Sequence, residues 1–356
     1  MEHGMKLLHM ADVHLGMEPD KGKPWGEGRG RQLWEAFAQA IDAAEEQQVD
    51  LVLIAGDLFH RQPLKRELAE VNGILSRLTR ARVVLMAGNH DYLSRNSFYR
   101  NYPWNENIRF FSSEQPEALF FPELATTVYG FSFEHREIRE ERYRGIVRKP
   151  QGRYHILLAH GGDEKHVPLK LKDLEAMDFD YIALGHIHQP GQLRENRIVM
   201  AGNLQPMEHG DIGPRGYWIA ELGPRGTHAS FYPIRGCEYR EVRIPVEACT
   251  ANASLLRLAE ERLSQLAPYQ LAVLVLCGDC APEFTPDAEA LSKLPRVAAV
   301  DDRSRPGYDF VKLQQEYRGQ IVDRYIKELL AMPQDEVTRR ALYLGVDALM
   351  GNSHVY

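Results

Sequence analysis

The sequence predicts an α/β fold in which two packed sheets are flanked by helices, followed by a smaller α/β unit and terminal helices. Three observations predict it. Through the first half of the 356 residues, short apolar runs alternate with segments whose apolar residues recur at helical spacing. Consecutive strand-like runs then replace that alternation, which argues for two sheets packed together between helices. Motifs rich in Asp, His and Gly directly follow several of the runs, where open α/β sheets place their ligands.

The elements follow in order. Strand-like runs fall at 6–10, 51–55, 83–87, 127–131, 155–159, 181–184, 198–201 and 217–221. Between the first and second, Leu33, Trp34, Phe37, Ile41 and Ala44 repeat at helical spacing, and between the second and third so do Leu68, Val71, Leu75 and Leu78. The stretch from His135 to Lys149 is rich in arginine but interleaved with Glu137, Glu140 and Glu141, so it reads as a helical or loop surface. A break comes near Gly236. Beyond it, 239–245 and 271–276 read as strands and 253–266 as a helix. Phe310, Leu313, Tyr317, Ile321, Tyr325 and Leu329 then share one helical face, and Pro333 opens a second segment through Ala341, Leu342, Leu344, Val346 and Leu349. The expected divisions are 1–235, 236–306 and 307–356.

Five motifs carry chemistry: Asp12-Val13-His14, Gly56-Asp57, Gly88-Asn89-His90-Asp91, His160-Gly161 and Gly185-His186-Ile187-His188. Taken singly each is weak, because Asn, Asp and Gly also make ordinary turns and a lone histidine is usually a packed one. Order and context carry the signal. Together the motifs supply carboxylates, imidazoles and one amide, the ligand set for two divalent metals held side by side. Cutting a phosphate ester requires neutralising charge on the phosphoryl group and making a hydroxide at neutral pH, and two cations roughly 3.5 to 4 Å apart do both. Mixed carboxylate and imidazole donors suit Mn, Fe(II) or Zn, whereas a Mg site is normally richer in oxygen. One carboxylate must bridge the pair, and Asp57, on a tight Gly-Asp turn, is the candidate.

This ordered set resembles the calcineurin-like metallophosphoesterase superfamily over residues 5 to about 220. Within it, Leu7-Leu8-His9-Met10-Ala11-Asp12-Val13-His14-Leu15-Gly16, Gly56-Asp57-Leu58-Phe59-His60, Gly185-His186-Ile187-His188-Gln189-Pro190 and the later Ala201-Gly202-Asn203 through Gly216-Tyr217 are similar to SbcD/YhaO-type DNA repair exonucleases. The resemblance implies a four-layer α/β/β/α sandwich of two mixed sheets, with a smaller C-terminal α/β cap that helps position DNA. It implies that Asp12, His14, Asp57 and His188 hold one metal, and that Asp57, Asn89, His160 and His186 hold the other. His90 matches the family's catalytic histidine, and His60 a second active-site histidine that positions the phosphate. Asp91 shapes its loop. Two divalent ions are implied, manganese first, with Fe2+, Zn2+ or Mg2+ as alternatives. The implied partners are DNA and an SMC-like ATPase of the SbcC/YhaN type, docked on the C-terminal helices; a homodimer is allowed.

The formal net charge of −7 is unusual for a DNA enzyme, since duplex binding normally rests on a basic footprint. Some of the acidic count is consumed in the site. Basic residues cluster beside it: Lys21, Lys23, Arg29 and Arg31 in a Gly-rich loop, and Arg95 and Arg100 among Tyr99, Tyr102 and Trp104, which can stack on bases. Arg29, Arg31, Arg95 and Arg100 are therefore candidate nucleic-acid contacts. The four cysteines fit a cytoplasmic location, and the one close pair, Cys277 and Cys280, reads as two thiols around a turn. No apolar run is long enough to span a membrane, and the amino end lacks the basic and apolar regions of a signal peptide, so no membrane association and a cytoplasmic location are expected. Two other readings use the same motifs: a phosphodiesterase or phosphomonoesterase for small molecules or nucleotides, and a regulatory DNA-end binder.

Overall fold

The computed structural model describes residues 4–351, which divide into two compact units between Glu238 and Tyr239. In the first unit the chain runs β1 (Met5–Met10), α1 (Arg29–Glu46), β2 (Leu51–Ala55), α2 (Lys65–Leu75), β3 (Arg82–Met86), β4 (Ile108–Phe110), β5 (Glu117–Phe121), β6 (Thr126–Gly130), β7 (Tyr154–His160), α3 (Leu171–Ala176), β8 (Tyr181–Gly185), β9 (Gly191–Arg194), β10 (Ile198–Met200), β11 (Gly216–Gly223) and β12 (Gly226–Pro233). Among the described residues these strands form two six-stranded mixed sheets, ordered β12-β11-β1-β2-β3-β4 and β5-β6-β7-β8-β10-β9. β1 to β4 are mutually parallel, as are β6, β7, β8 and β10.

The strands nearest the site are buried on both faces, and their alternate side chains divide between two cores. Leu7, Leu51, Leu53, Val84 and Met86 of the first sheet meet Val128, Ile156, Leu158 and Ala183 of the second, so the sheets pack face to face. The intervening side chains, Leu8, Met10, Val52, Ile54, Val83 and Leu85, pack outward on Leu33, Phe37, Ala40 and Ile41 of α1 and on Leu68, Val71 and Leu75 of α2. The outer face of the second sheet is covered by Leu174 of α3 and by the loop residues Phe131, Phe133, Ile138, Tyr143 and Val167. The result is a four-layer α/β/β/α sandwich with an unequal fourth layer. The charged run from His135 to Lys149 makes loop and not helix, because its glutamates and arginines pair locally while Ile138 and Tyr143 point inward.

The second unit holds β13 (Glu238–Val246), α4 (Asn252–Ser264), β14 (Gln270–Cys280), α5 (Ala288–Ser292) and β15 (Val297–Pro306), then α6 (Phe310–Glu316), α7 (Ile321–Ala331) and α8 (Glu336–Met350). Its three strands form one sheet, ordered β13-β14-β15. The terminal segment makes three helices where the spacing predicts two. Gly319, with φ +76°, takes the chain out of the helical region between α6 and α7, and Asp335 caps α8 by accepting the Thr338 N–H. The helices bury Val322, Ile326, Leu342 and Val346 against one another, while Ile321, Val337 and Leu344 stay exposed. Cys277 and Cys280 lie on β14 and not around a turn, and all four cysteines are free thiols. Among the described residues, no helix is long and apolar enough to cross a membrane.

Candidate metal centre

All five motifs lie at the carboxyl ends of strands: Asp12 and His14 after β1, Asp57 after β2, Asn89 and His90 after β3, His160 closing β7, and His186 and His188 after β8. The backbone there is unusual. Asp12, His14 and Asp57 have φ near +50° and His186 has φ +97°. A non-glycine residue held there costs on the order of 1–3 kcal/mol and persists only when its surroundings over-determine it. Here the loops after β1 and β2 are hydrogen-bonded to each other, Asp12 N to Gly56 O at 3.2 Å, His14 N to Asp57 O at 3.0 Å and Leu15 N to Leu58 O at 2.9 Å. Two glycines allow the rest to close in. A Cβ on Gly88 would stand 2.3 Å from Asp57 Oδ1, and one on Gly56 would stand 2.4 Å from the His160 ring.

The predicted residues converge around Asp57. Its Oδ2 lies 3.7 Å from His14 Nε2 on one side and 3.5 Å from His160 Nε2 on the other. Its Oδ1 accepts the His90 N–H at 2.9 Å. Asp12, His14 and His188 form one close group, with the Asp12 carboxylate accepting the His186 N–H, while Asp57, His160 and His186 form another. Asn89 Oδ1 belongs to the second, 3.0 Å from His160 Nε2 and 3.1 Å from His186 Nδ1. His160 Nδ1 faces the Ala55 carbonyl at 2.8 Å, which fixes the ring with a proton on Nδ1 and turns Nε2 toward Asp57 and Asn89.

The electrostatics describe a buried pocket in which carboxylates and imidazoles hold one another's charge. Burial pushes the Asp12 carboxyl up to about 6 although His160 and His188 pull it down. Asp57 moves the other way: burial works against its charge, but His160, His14 and His90 hold it well below the carboxylate range. Burial likewise opposes charge on His160, yet the Asp57 carboxylate raises it to about 9. Burial takes His14 down to about 3, and burial with His160 beside it takes His186 to about 4. The buried His14 Nε2 has no hydrogen-bond partner. Buried carboxylates, imidazole nitrogens and an amide oxygen converge here as donors in two close groups, so the residues fit a pair of divalent ions, which would displace the proton from His160 Nε2.

His90 and His60 sit beside both groups. The His90 ring is 4.7 Å from that of His14 and stacks on His60 at 5.0 Å, and its Nδ1 lies 3.2 Å from the His60 carbonyl, leaving Nε2 available. His60 Nδ1 is 3.3 Å from His14 Nδ1. Asp91 is fully buried and accepts the Gly88 and Phe59 N–H groups; burial and the nearby Asp57 push its carboxyl up to about 8, so it braces the loop as expected.

The expected DNA contacts divide. Arg29 is corrected: it is buried, bound to Asp20, Gln32 and the Pro206 carbonyl, and braces the start of α1. Arg100 is half-buried and tied to Glu134 and the Leu93 carbonyl. Tyr99 is also corrected, being sealed in the core against Phe59 and Phe110, while Tyr102 and Trp104 are partly buried, packed onto the same core and onto each other. Arg31 and Arg95 are exposed. Sequence reasoning missed two carboxylates behind the histidines, Asp163 at 2.7 Å from His186 Nε2 and Asp211 at 3.6 Å from His188 Nδ1. The signal for Asp163 was its place just after His160-Gly161.

Comparison with known proteins identifies the family. The model of the calcineurin-like phosphoesterase family matches residues 5–190, a span that contains every candidate ligand, His60 and His90. The chain is also 28% identical over 329 residues to the uncharacterized metallophosphoesterase YhaO of Bacillus subtilis (strain 168), covering 84% of this chain and 79% of that protein. Proteins of this family bind two divalent metals and hydrolyse phosphoesters. With more than half of its residues matched, on the same strands whose ends build the pocket, this chain belongs to the calcineurin-like phosphoesterase family.

Proposed function

We propose that the chain is a two-metal phosphodiesterase that cleaves DNA, an exonuclease with some endonuclease capacity, serving repair or recombination with an SMC-like ATPase. The observation that carries the two-metal part is the position of Asp57 Oδ2 between His14 and His160. Asp12, His14 and His188 complete one site around Asp57, and Asn89, His160 and His186 complete the other. When bound, the divalent ions neutralise phosphoryl charge and supply hydroxide at neutral pH. The mixture of imidazole and carboxylate donors favours manganese over magnesium. His90, with Nδ1 turned to the His60 carbonyl, offers Nε2 to stabilise the developing charge or to protonate the leaving oxygen. His60, stacked on it, positions the phosphate.

DNA as substrate is supported by the SbcD-type motifs and by exposed Arg31 and Arg95. The three-stranded unit takes the capping role, and the exposed Ile321, Val337 and Leu344 on the terminal helices support docking of the ATPase. The test is cleavage of end-labelled duplex and single-stranded DNA with Mn, Mg and Zn. His90→Ala is expected to slow cleavage by about 10²–10⁴-fold with metal uptake retained; unchanged cleavage would remove His90 from catalysis. Turnover of bis-p-nitrophenyl phosphate or cyclic nucleotides without DNA cleavage would make the chain a small-molecule phosphodiesterase. DNA affinity with no cleavage in any metal would make it a regulatory end binder.

A further inference from the structure

A carboxylate outside the five motifs stands directly behind one of the candidate ligands. Asp163 lies in the loop after β7, and its Oδ2 is 2.7 Å from His186 Nε2. Its Oδ1 accepts the backbone N–H groups of Lys165 at 2.7 Å and His166 at 2.9 Å, and His166 Nδ1 approaches both oxygens at 3.0 and 2.8 Å. One oxygen is thus anchored and the other aimed. The loop reaches this shape through Gly161 and Gly162, with φ +137° and +140°, and the Gly162 N–H closes it on the His166 carbonyl at 2.9 Å. A Cβ on Gly161 would stand 2.3 Å from that carbonyl oxygen.

The consequence concerns one proton. A neutral imidazole carries a single ring N–H. His186 has a carboxylate at Nε2 and only the neutral Asn89 amide oxygen, 3.1 Å away, at Nδ1. The charged acceptor takes the proton. Nδ1 is then left as a lone pair facing Asn89 Oδ1, the atom that His160 Nε2 also faces at 3.0 Å. We propose that Asp163 is a positioning residue that fixes the tautomer and ring orientation of His186, so that Nδ1 is presented to a divalent ion. The inference rests on the two-ion reading above. The Ala55 carbonyl does the same for His160, but Asp163 adds a charge, which raises the basicity of the ligand it holds.

The test is titration of Mn2+ into the metal-stripped full chain, followed by calorimetry and by the electron paramagnetic resonance of free Mn2+. Wild type is expected to take up two ions. In Asp163→Ala one binding step is expected to weaken about 10–100-fold while the other holds, and Asp163→Glu is expected to recover part of the loss. Nitrogen-15 spectra of the metal-free proteins, assigned with His186→Gln, are expected to show His186 protonated at Nε2 in wild type and no longer predominantly so in Asp163→Ala. A variant that binds both ions as wild type does and keeps the same tautomer would overturn the proposal. So would uptake of three ions by wild type and two by the variant, which would make Asp163, His166 and His186 a site of their own. If wild type binds fewer than two ions the two-ion reading fails, and the tautomer measurement still decides the part played by Asp163.

Discussion

Asp57 is the residue on which both candidate sites depend, and its surroundings show what a single methyl group would do. Gly88→Ala would place a Cβ 2.3 Å from Asp57 Oδ1 and 2.7 Å from His160 Nε2. Overpacking of this kind costs about 1–3 kcal/mol. We expect that loss in urea denaturation of the metal-free protein, together with weakened uptake of both ions. Asp211 gives a test in acid. Burial works to raise its carboxyl, but His188, the Met207 N–H and Arg215 hold it at about 2. A group depressed in the folded state stabilises fully above its ordinary value near 3.8, and that stabilisation is lost as the pH falls toward about 2. Asp211→Asn is therefore expected to flatten the acid limb of melting temperature against pH between about 4 and 2, and an unchanged limb would contradict it. At this scale the motifs were legible because ligands follow strand-like runs in fixed short patterns. Asp211 was not, since it sits in an irregular loop with no period to mark it, and Asp163 had only its place just after His160-Gly161 to mark it. Arg29 misled because a Gly-rich basic loop reads as open, whereas Asp20 and the Pro206 carbonyl draw that guanidinium inside.

The elements nearest the site are those the sequence marks best. β2 is buried throughout, so its apolar run ends where the strand ends, and α1 shows Leu33, Phe37, Ile41 and Ala44 on one face because that face alone meets a sheet. The strands left unread were β4, β5, β9, β12 and β15. β9 and β12 are edge strands with mostly part- or fully exposed side chains, so no apolar period betrays them, whereas β5, also an edge strand, does carry an apolar run from Ala118 to Phe121 that was passed over. β15 carries Asp301, Asp302, Arg303 and Arg305 and is a strand through its parallel pairing with β14. In the terminal segment, α6 to α8 have their own buried cluster of Val322, Ile326, Leu342 and Val346. If the proposed docking holds, a chain ending before Asp309 is expected to keep metal-dependent phosphodiesterase activity within about twofold and to lose capture of an SMC-like ATPase in a pull-down. Loss of folding in circular dichroism would count against a docking role confined to these helices.

At the scale of the whole molecule, the two units have separate hydrophobic cores, and every candidate ligand belongs to the first. An ion that binds only the folded form stabilises it by about 2.7 kcal/mol at one hundred times its dissociation constant. Chelation is therefore expected to lower the melting of the first unit and leave that of the second in place, which differential scanning calorimetry with and without Mn2+ would show; a uniform shift of all transitions would contradict it. The hydrogen bonds that join the loops after β1 and β2 carry a further consequence. They continue the pairing of β1 with β2 past the last strand residues, so Asp12 and Asp57 are held side by side by the peptide backbone. That backbone is a ruler for these two carboxylates. The helix between them can lengthen or shorten without changing the gauge, and a residue inserted near the end of β1 or β2 would put the pair out of register.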